Sequence, residues 1–426
     1  MTPDQAQPAN PDALGDVGAW AVALLFRRFG PYHHARARAA GAVLPLAGLE
    51  FVRVDKTYAW DVVATGQDFK LITLFSNEHA DSRLGPEVAE RLGQTLASLA
   101  PRVVVIPGWS DRFALLALAW ALDSHVPVVV MSESTAWDER RVWWREAAKH
   151  QIVRLCSAGL VGGTPHHRYL ASLGLPRDRV FLGYDAVDNE YFARRAEDAR
   201  GRAVELRKKH GLPDRYFLAS ARFIGKKNLP RLLRAYARYR ELADGAEVRG
   251  RRSEVSKPWQ LVLLGDGLLK AELCRLISDL SLEECVHLPG FKQYDELPVY
   301  YGLASAFIHA STTEPWGLVV NEAMASGLPV LVSNRCGCAS DLVQEGGNGF
   351  TFDPYDTEQL ARLMLKLSAF DFPLAAFASA SSRGIAAWGP ERFAQGLKAA
   401  AKKALEVGPI KASLLQRLVL KALLWR

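Results

Sequence analysis

Two glutamates, Glu314 and Glu322, flank a short stretch in which Pro315 and Gly317 interrupt an otherwise apolar run, Leu318-Val319-Val320. A strand entering at Phe307 and another starting at Val330 leave room between them for one loop and one helix. The first N–H groups of such a helix, at Gly317, Leu318 and Val319, have no acceptor within it and suit an anion. Glu314 stands just before the helix. Glu322 lies inside it, and helical side chains tilt toward the helix start, so Glu322 leans toward the same ligand. Two carboxylates beside a helix N-terminus match a ligand carrying both hydroxyls and phosphates, and a sugar nucleotide meets that description. The plainer reading is two carboxylates on a solvated helix face.

Three more loops follow apolar runs. In Ala221-Arg222-Phe223-Ile224-Gly225-Lys226-Lys227-Asn228 a strand ends at Arg222 and a helix opens after Lys227. A planar guanidinium and a compact ammonium at a strand's carboxyl end suit a diphosphate; a solvated basic loop is the alternative. Leu263-Leu264-Gly265-Asp266-Gly267 permits a tight turn with close backbone approach, or is a plain turn. Leu288-Pro289-Gly290-Phe291-Lys292 is a third strand-end loop of the same kind.

The elements that must position these residues alternate. Residues 19–26, 103–106, 126–131, 217–221, 260–264, 306–309 and 330–333 read as buried strands, with helical patterns over 114–122, 229–242 and 321–326. Unbroken apolar strands alternating with helices predict α/β architecture with parallel sheets covered on both faces. The alternation restarts after a highly charged stretch, 188–215, so two doubly wound domains are expected. Domains of this kind bind at the carboxyl ends of their strands, across a crevice. A polar segment over 244–258 reads as a surface loop. A chain of 426 residues, 49% hydrophobic and 23% charged, has ordinary globular composition, which excludes a wholly disordered or fibrous protein. The excess of 53 basic over 46 acidic residues is mild and does not by itself require nucleic acid. Five scattered cysteines argue for a reducing compartment rather than a disulfide framework. Cys336-Gly337-Cys338 lacks a second pair at zinc spacing, and no metal is expected. Residues 1–17 hold three aspartates, three prolines and no Lys or Arg, which reads as a disordered leader rather than a signal peptide.

With these motifs in place, the second half resembles the nucleotide-binding domain of family 4 retaining glycosyltransferases (glycosyl transferases group 1), which have the GT-B fold of two Rossmann-like domains facing across a cleft. The family's paired glutamates match Glu314 and Glu322, and the run from Glu314 to Pro329 follows its pattern closely. Arg222 and Lys227 match its basic pair, Gly265-Asp266-Gly267 its glycine turn and Gly290-Phe291 its base-side loop; Asn348-Gly349 fits its ending. The match spans roughly residues 216–395. The resemblance implies transfer from a UDP- or GDP-sugar to a glycan or glycolipid acceptor, with retention of configuration and no metal or other cofactor. It implies that Glu314 contacts the donor sugar, Glu322 the ribose, Arg222 and Lys227 the diphosphate, and the backbone at Gly317, Leu318 and Val319 the phosphates. Gly265, Phe291 and, from the first half, Gly30 complete the donor set. The implied division is a leader over 1–17, an acceptor-side domain over 18–195, a nucleotide-sugar domain over 212–395, and a terminal helix over 396–426 that packs back on the first domain.

The first half matches less closely. Its first strand is followed by Arg27-Arg28-Phe29-Gly30-Pro31-Tyr32-His33-His34, where Gly30 precedes a helix start that could face a phosphate. His33 and His34 are acceptor-side candidates, or surface histidines on a first helical turn. Glu133, in Ser132-Glu133-Ser134, is a third candidate, or a helix N-cap.

Two amphipathic segments remain. Arg141, Arg145 and Lys149 recur beside Trp143 and Trp144, and residues 411–426 carry four basic residues and no acid, with Leu414, Leu415, Leu418 and Ala422 on one stripe. Such faces suit an anionic membrane surface, although a core-facing stripe is the favoured reading. The expected location is cytoplasmic, with peripheral contact at the inner membrane face. A non-catalytic sugar-nucleotide-binding protein is the alternative on the same scaffold. Nothing beyond charge suggests nucleic acid, and no G-x-G-x-x-G follows the first strand to suggest a dinucleotide oxidoreductase.

Overall fold

The computed structural model describes residues 21–53, 69–75, 86–248 and 257–425. The leader expected over 1–17 and the middle of the polar segment 244–258 lie outside them. The chain divides into two units, 1–136 with 140–186 and 390–426, and 137–139 with 187–389.

In the first unit the elements run β1 (Val22–Phe26), α1 (Pro31–Gly41), β2 (Leu46–Val52), β3 (Lys70–Phe75), α2 (Pro86–Leu99), β4 (Val103–Pro107), α3 (Arg112–Asp123), β5 (Val128–Ser132), α4 (Trp143–Val153), β6 (Ala158–Val161), α5 (Thr164–Ser172) and β7 (Val180–Leu182). The second unit holds α6 (Asn189–Gly201), α7 (Ala203–His210), β8 (Tyr216–Ser220), α8 (Leu229–Val248), β9 (Gln260–Leu264), α9 (Lys270–Asp279), β10 (Val286–Gly290), α10 (Leu297–Leu303), β11 (Ala306–His309), α11 (Leu318–Ala325), β12 (Val330–Ser333), α12 (Ala339–Leu342), β13 (Gly349–Phe352), α13 (Thr357–Ser368) and α14 (Leu374–Ile385). The chain then returns to the first unit as α15 (Pro390–Val407) and α16 (Leu414–Leu424).

Both sheets are parallel. The first has the order β3-β2-β1-β4-β5-β6-β7 and the second β10-β9-β8-β11-β12-β13. Strands buried on both faces need near-continuous apolar side chains, and β1 (VALLF), β4 and the first four residues of β5 supply them. Each sheet winds outward in one direction and then restarts on the other side of its first strand. The reversal falls between β1 and β4 in one unit and between β8 and β11 in the other. At such a point the loops leaving adjacent strands part to opposite faces and open a crevice.

Three boundaries differ from those expected. The charged stretch 188–215 is not a passage between halves but two helices of the second unit. Phe192, Ala196 and Ala199 of α6 and Leu206 of α7 are buried. A helical stripe so narrow is swamped by surrounding Arg, Lys and Glu in any composition reading. The first unit therefore ends at Ala186 rather than at 195. The second ends at Gly389 rather than at 395, because α15 is one continuous helix from Pro390. It packs on α1 and on one face of the first sheet, burying Phe393, Leu397, Ala400, Ala401 and Ala404 in one cluster with Val22, Leu24 and Val129. Finally, α11 begins at Leu318, three residues before the start expected from its pattern.

The turn after β9 brings the backbone of two strand ends together. Gly265 adopts φ +133°, and a Cβ there would lie 1.9 Å from the carbonyl oxygen of Ala221. Gly265 N–H donates to Gly290 O at 3.0 Å, and Ala221 N–H to Leu264 O at 3.0 Å, so the loops leaving β8, β9 and β10 are tied at one edge. Gly265→Ala is expected to destabilise the protein by roughly 1–3 kcal/mol from backbone strain alone, with more from the contact itself. Urea denaturation would register this as a lower midpoint; an unchanged midpoint would show that the turn relaxes freely.

Candidate functional site

The loops that follow β8 and β11 lie at the reversal point of the second sheet, and they are stitched to each other. Asn228, in the left-handed region at φ 59°, sends Nδ2 to Ala310 O at 3.0 Å and to Pro354 O at 2.8 Å. Thr312 N–H donates to Lys226 O at 2.9 Å. From behind, the segment after β12 closes the arrangement. Glu314 N–H donates to Arg335 O at 3.3 Å, Gly337 N–H to Glu314 O at 3.0 Å, and Cys338 N–H to Trp316 O at 3.2 Å. Cys336 and Cys338 are buried here, and burial together with the Glu314 charge pushes the Cys336 thiol well up.

This frame holds Glu314 with only 8% of its surface exposed. Its Oε2 accepts from three side chains: the Lys227 ammonium, His309 Nε2 at 3.1 Å and the Ser311 hydroxyl at 3.2 Å. A carboxylate only accepts, so His309 must carry its proton on Nε2. Burial pushes the His309 pKa down and keeps the ring neutral, against the pull of its bond to Glu314. Burial pushes the Glu314 carboxyl up. The His309 hydrogen bond and the Lys227 charge more than reverse this and hold it well below the usual glutamate range. Glu314 is therefore a fixed negative charge.

Gly317 begins α11 at φ +104°, where only glycine is unstrained, and a Cβ there would meet Glu314 Cγ at 3.4 Å. Leu318 and Val319, half-buried, form the first turn. Trp316 fixes the entry angle: its Nε1 donates to Asn321 Oδ1 at 2.8 Å and its ring packs on Trp388 at 5.3 Å. Four residues further along α11, Glu322 is fully buried and Oε2 accepts from the Tyr301 hydroxyl of α10 at 2.6 Å. Burial first and the Glu322 charge second push the Tyr301 pKa well up, and Tyr301 is also linked to Ser220 at the end of β8. Arg222 is exposed on the loop after β8, Gly265 is half-buried after β9, and Phe291, 42% exposed, follows β10. The second sheet thus brings Arg222, Lys227, Gly265, Phe291, Glu314 and Gly317 to its carboxyl edge. Of these, Lys227 and Glu314 are directly bonded.

Sequence reasoning passed over His309, Ser311, Tyr301, Asn228 and Trp316 as functional supports. A histidine closing a buried apolar strand just ahead of Glu314 was the available signal for His309. Tyr301 gave none, because it arrives on a separate helix.

At the reversal point of the first sheet, Arg27 Nη1 pairs with Asp111 Oδ2 at 3.2 Å, joining the ends of β1 and β4. Gly30 is the N-cap of α1, and its N–H donates to His33 Nδ1 at 3.1 Å. His33 therefore caps the helix, with its ring 4.2 Å from that of Phe26. Burial, with Arg36, His34 and Arg28 nearby, pushes its pKa down to about 3. The same device recurs at α5, where Gly163 N–H donates to His166 Nδ1 at 3.1 Å. His34 is buried against Phe29 and Phe69 rather than standing on the surface. Glu133 is half-buried just after β5 and caps no helix, since α4 starts at Trp143 with Val142 at its N-cap.

Comparison with known proteins bears on the fold and the family. Residues 204–373 match the family described as Glycosyl transferases group 1. A sulfoquinovosyl transferase of Arabidopsis thaliana is 27% identical over 281 residues, covering 65% of this chain and 50% of the relative, so the chain spans half that protein's length. Among solved structures, Anabaena Alr3699/HepE in complex with UDP and glucose superposes with a TM-score of 0.66 at 19% identity, over 89% of this chain and 98% of that one. Sucrose-phosphate synthase of Thermosynechococcus elongatus gives 0.66 at 18% identity, over 88% and 96%. The fold is GT-B, with two parallel sheets of Rossmann type.

The Glu314 charge has a measurable consequence. Its folded pKa lies below the usual 4.5, so its contribution to stability is complete above 4.5 and is lost as pH falls through the folded value. The stability of the wild type relative to Glu314→Gln should rise between about pH 3 and 5, by at most about 1.4 kcal/mol per pH unit, and stay level above. Urea titrations of both proteins across that range check it; a difference independent of pH would mean that Glu314 is not held ionised.

Proposed function

We propose that the chain is a retaining glycosyltransferase of family 4 that moves a sugar from a nucleoside diphosphate donor to a glycan or glycolipid acceptor without a metal ion. The observation that carries the reading is the ionised Glu314 beside Lys227 and the start of α11, at the reversal point of a sheet whose strand-end loops are closed by glycine. A fixed carboxylate next to a cation suits a substrate that divides into a sugar and a diphosphate. In the unliganded chain Lys227 answers Glu314. On arrival of the donor, Lys227 and Arg222 turn to the diphosphate, and Glu314 is left to the sugar.

In the reaction the acceptor oxygen bonds to the anomeric carbon from the face that the phosphate leaves. The carbon–oxygen bond to the diphosphate breaks, and the acceptor proton passes to the departing phosphate oxygen. Negative charge growing on that phosphate is met by Arg222, Lys227 and the N–H groups at Leu318 and Val319. Positive character growing on the sugar is met by Glu314. Glu322 holds the ribose hydroxyls, Tyr301 orients its carboxylate, and Phe291 lies against the base. UDP- and GDP-sugars are the donors to assay. The first unit takes the acceptor, with Glu133 at a strand end, and Gly30 at the start of α1 belongs to the donor side. His33 and His34 act there by shaping the start of α1. A cytoplasmic site of action with peripheral contact at an anionic membrane completes the proposal, in keeping with the formal charge of +7.

An interaction that strengthens in the transition state acts on kcat, whereas one that is uniform acts on KM. Glu314→Gln should lower kcat by roughly 10²-fold or more, the scale of losing one electrostatic stabiliser. Glu322→Gln should chiefly raise the donor KM, and Arg222→Ala should weaken donor binding by about 1.5–3 kcal/mol. Steady-state kinetics and calorimetry decide the assignment, and the reversed pattern for the two glutamates defeats it. Turnover should also survive excess chelator; loss on chelation with recovery on added Mn²⁺ or Mg²⁺ would overturn the metal-independent reading.

A further inference from the structure

The last helix is apolar on two sides. Eight of the eleven residues of α16, LLQRLVLKALL, are apolar. One side is accounted for. Leu420 is buried in the first unit's core, with Val419, Leu423 and Leu424 packed against it; Gln416 Nε2 donates to Gln151 O at 3.3 Å, and Arg417 pairs with Asp123 at 2.9 Å. The other side is bare. Leu414 is 77% exposed, Leu415 58%, Leu418 56%, and Trp425, just past the helix, 81%. With exposed Ala422 they form a stripe at helical spacing, contrary to the core-facing reading of the same residues. Single exposed apolar residues are ordinary, but a contiguous row marks a surface that meets another phase or molecule.

Charge selects the occupant. Residues 407–426 contain no Asp or Glu. Lys411 and Lys421 are exposed, and Lys421 falls on the stripe between Leu418 and Trp425. A second copy seated on this face would oppose lysines to lysines. A bilayer with anionic headgroups takes the leucines below the headgroup level, Trp425 at it, and the ammonium of Lys421 on its snorkelling stem. The basic helix α4 is a poorer candidate than its sequence suggests. Arg141, just before the helix, donates to Thr135 O and Ala136 O, and Lys149 within it to Glu146 at 3.0 Å and Tyr169 at 3.3 Å, so two of the three cations of the segment 141–149 are turned to internal partners. No helix among the described residues is long and apolar enough to cross a membrane, so contact by this helix would be interfacial.

We propose that the outward face of α16 is a docking surface for an anionic lipid bilayer, with Leu414, Leu415 and Leu418 entering the interface and Lys411 and Lys421 reading the headgroup charge. This rests on the peripheral membrane contact proposed above and names the surface that makes it.

The test uses the full chain and two kinds of vesicle, phosphatidylcholine alone and phosphatidylcholine mixed with phosphatidylglycerol. The wild type should sediment with the mixed vesicles and be released by high salt. L415E/L418E, altered only at exposed positions, should keep its thermal midpoint and donor turnover and lose vesicle partitioning by about tenfold or more, the loss expected from two interfacial leucines. K411E/K421E should lose the preference for anionic vesicles. Wild-type binding that L415E/L418E retains would overturn the assignment to α16 and leave membrane contact standing elsewhere. Absence of wild-type binding to either vesicle would overturn both. A concentration-dependent dimer in sedimentation equilibrium that L415E/L418E abolishes would give the face to a second copy instead.

Discussion

A carboxylate withdrawn from water must be compensated where it stands, because an isolated buried charge is too costly to keep. At Glu314 three donors converge on one oxygen: Lys227 from the loop after β8, His309 from the end of β11, and Ser311 two residues beyond it. Lys227 lies 87 residues from Glu314 along the chain, and Asn228, which bonds Ala310 O across 82 residues, keeps the two segments in register. The loop after β8, the turn into α11 and the segment after β12 all take the shape that this compensation requires. Gly317 suits this turn because its backbone stands at φ +104°, a conformation that strains any residue with a side chain.

The second unit was legible where its chemistry is local. Glu314, Pro315, Gly317 and Glu322 lie within one loop and helix, so their relation follows from chain geometry, and the strands that carry them are plain apolar runs. What escaped was contributed from elsewhere in the chain. Tyr301 reaches Glu322 from a neighbouring helix, and nothing in its own surroundings marks it. His309 was hidden in another way: it ends a run that reads as strand, and strand residues are expected to pack rather than to donate. Helices α6 and α7 were obscured by composition, since Phe192, Ala196 and Ala199 form a stripe one residue wide among arginines and glutamates.

In the first unit the same loops read correctly as strand ends and less well as chemistry. His33 looked like a surface group beside a phosphate site. Its Nδ1 instead receives the N–H of Gly30, a bond that the residue at N3 makes for a glycine N-cap with no side chain of its own. That Gly163 and His166 repeat the arrangement points to a local structural rule, legible as Gly-x-x-His once the bond is known.

Apart from residues 137–139, the second unit is one continuous piece of chain, whereas the first is assembled from both sides of it. This has a bearing on biosynthesis. When 1–186 has left the ribosome, the face of the first sheet that carries Val22, Leu24, Val105 and Val129 still lacks α15, whose Phe393, Leu397 and Ala401 cover it. Residues 187–389 must emerge first, and they contain everything their own core requires. Synthesis from the N-terminus would then leave the earlier half waiting, with an apolar sheet face open to chaperones or to misassociation, while the later-made unit closes. Codon usage, growth temperature and chaperone supply would be expected to bear on yield through that interval, rather than through the stability of the finished protein.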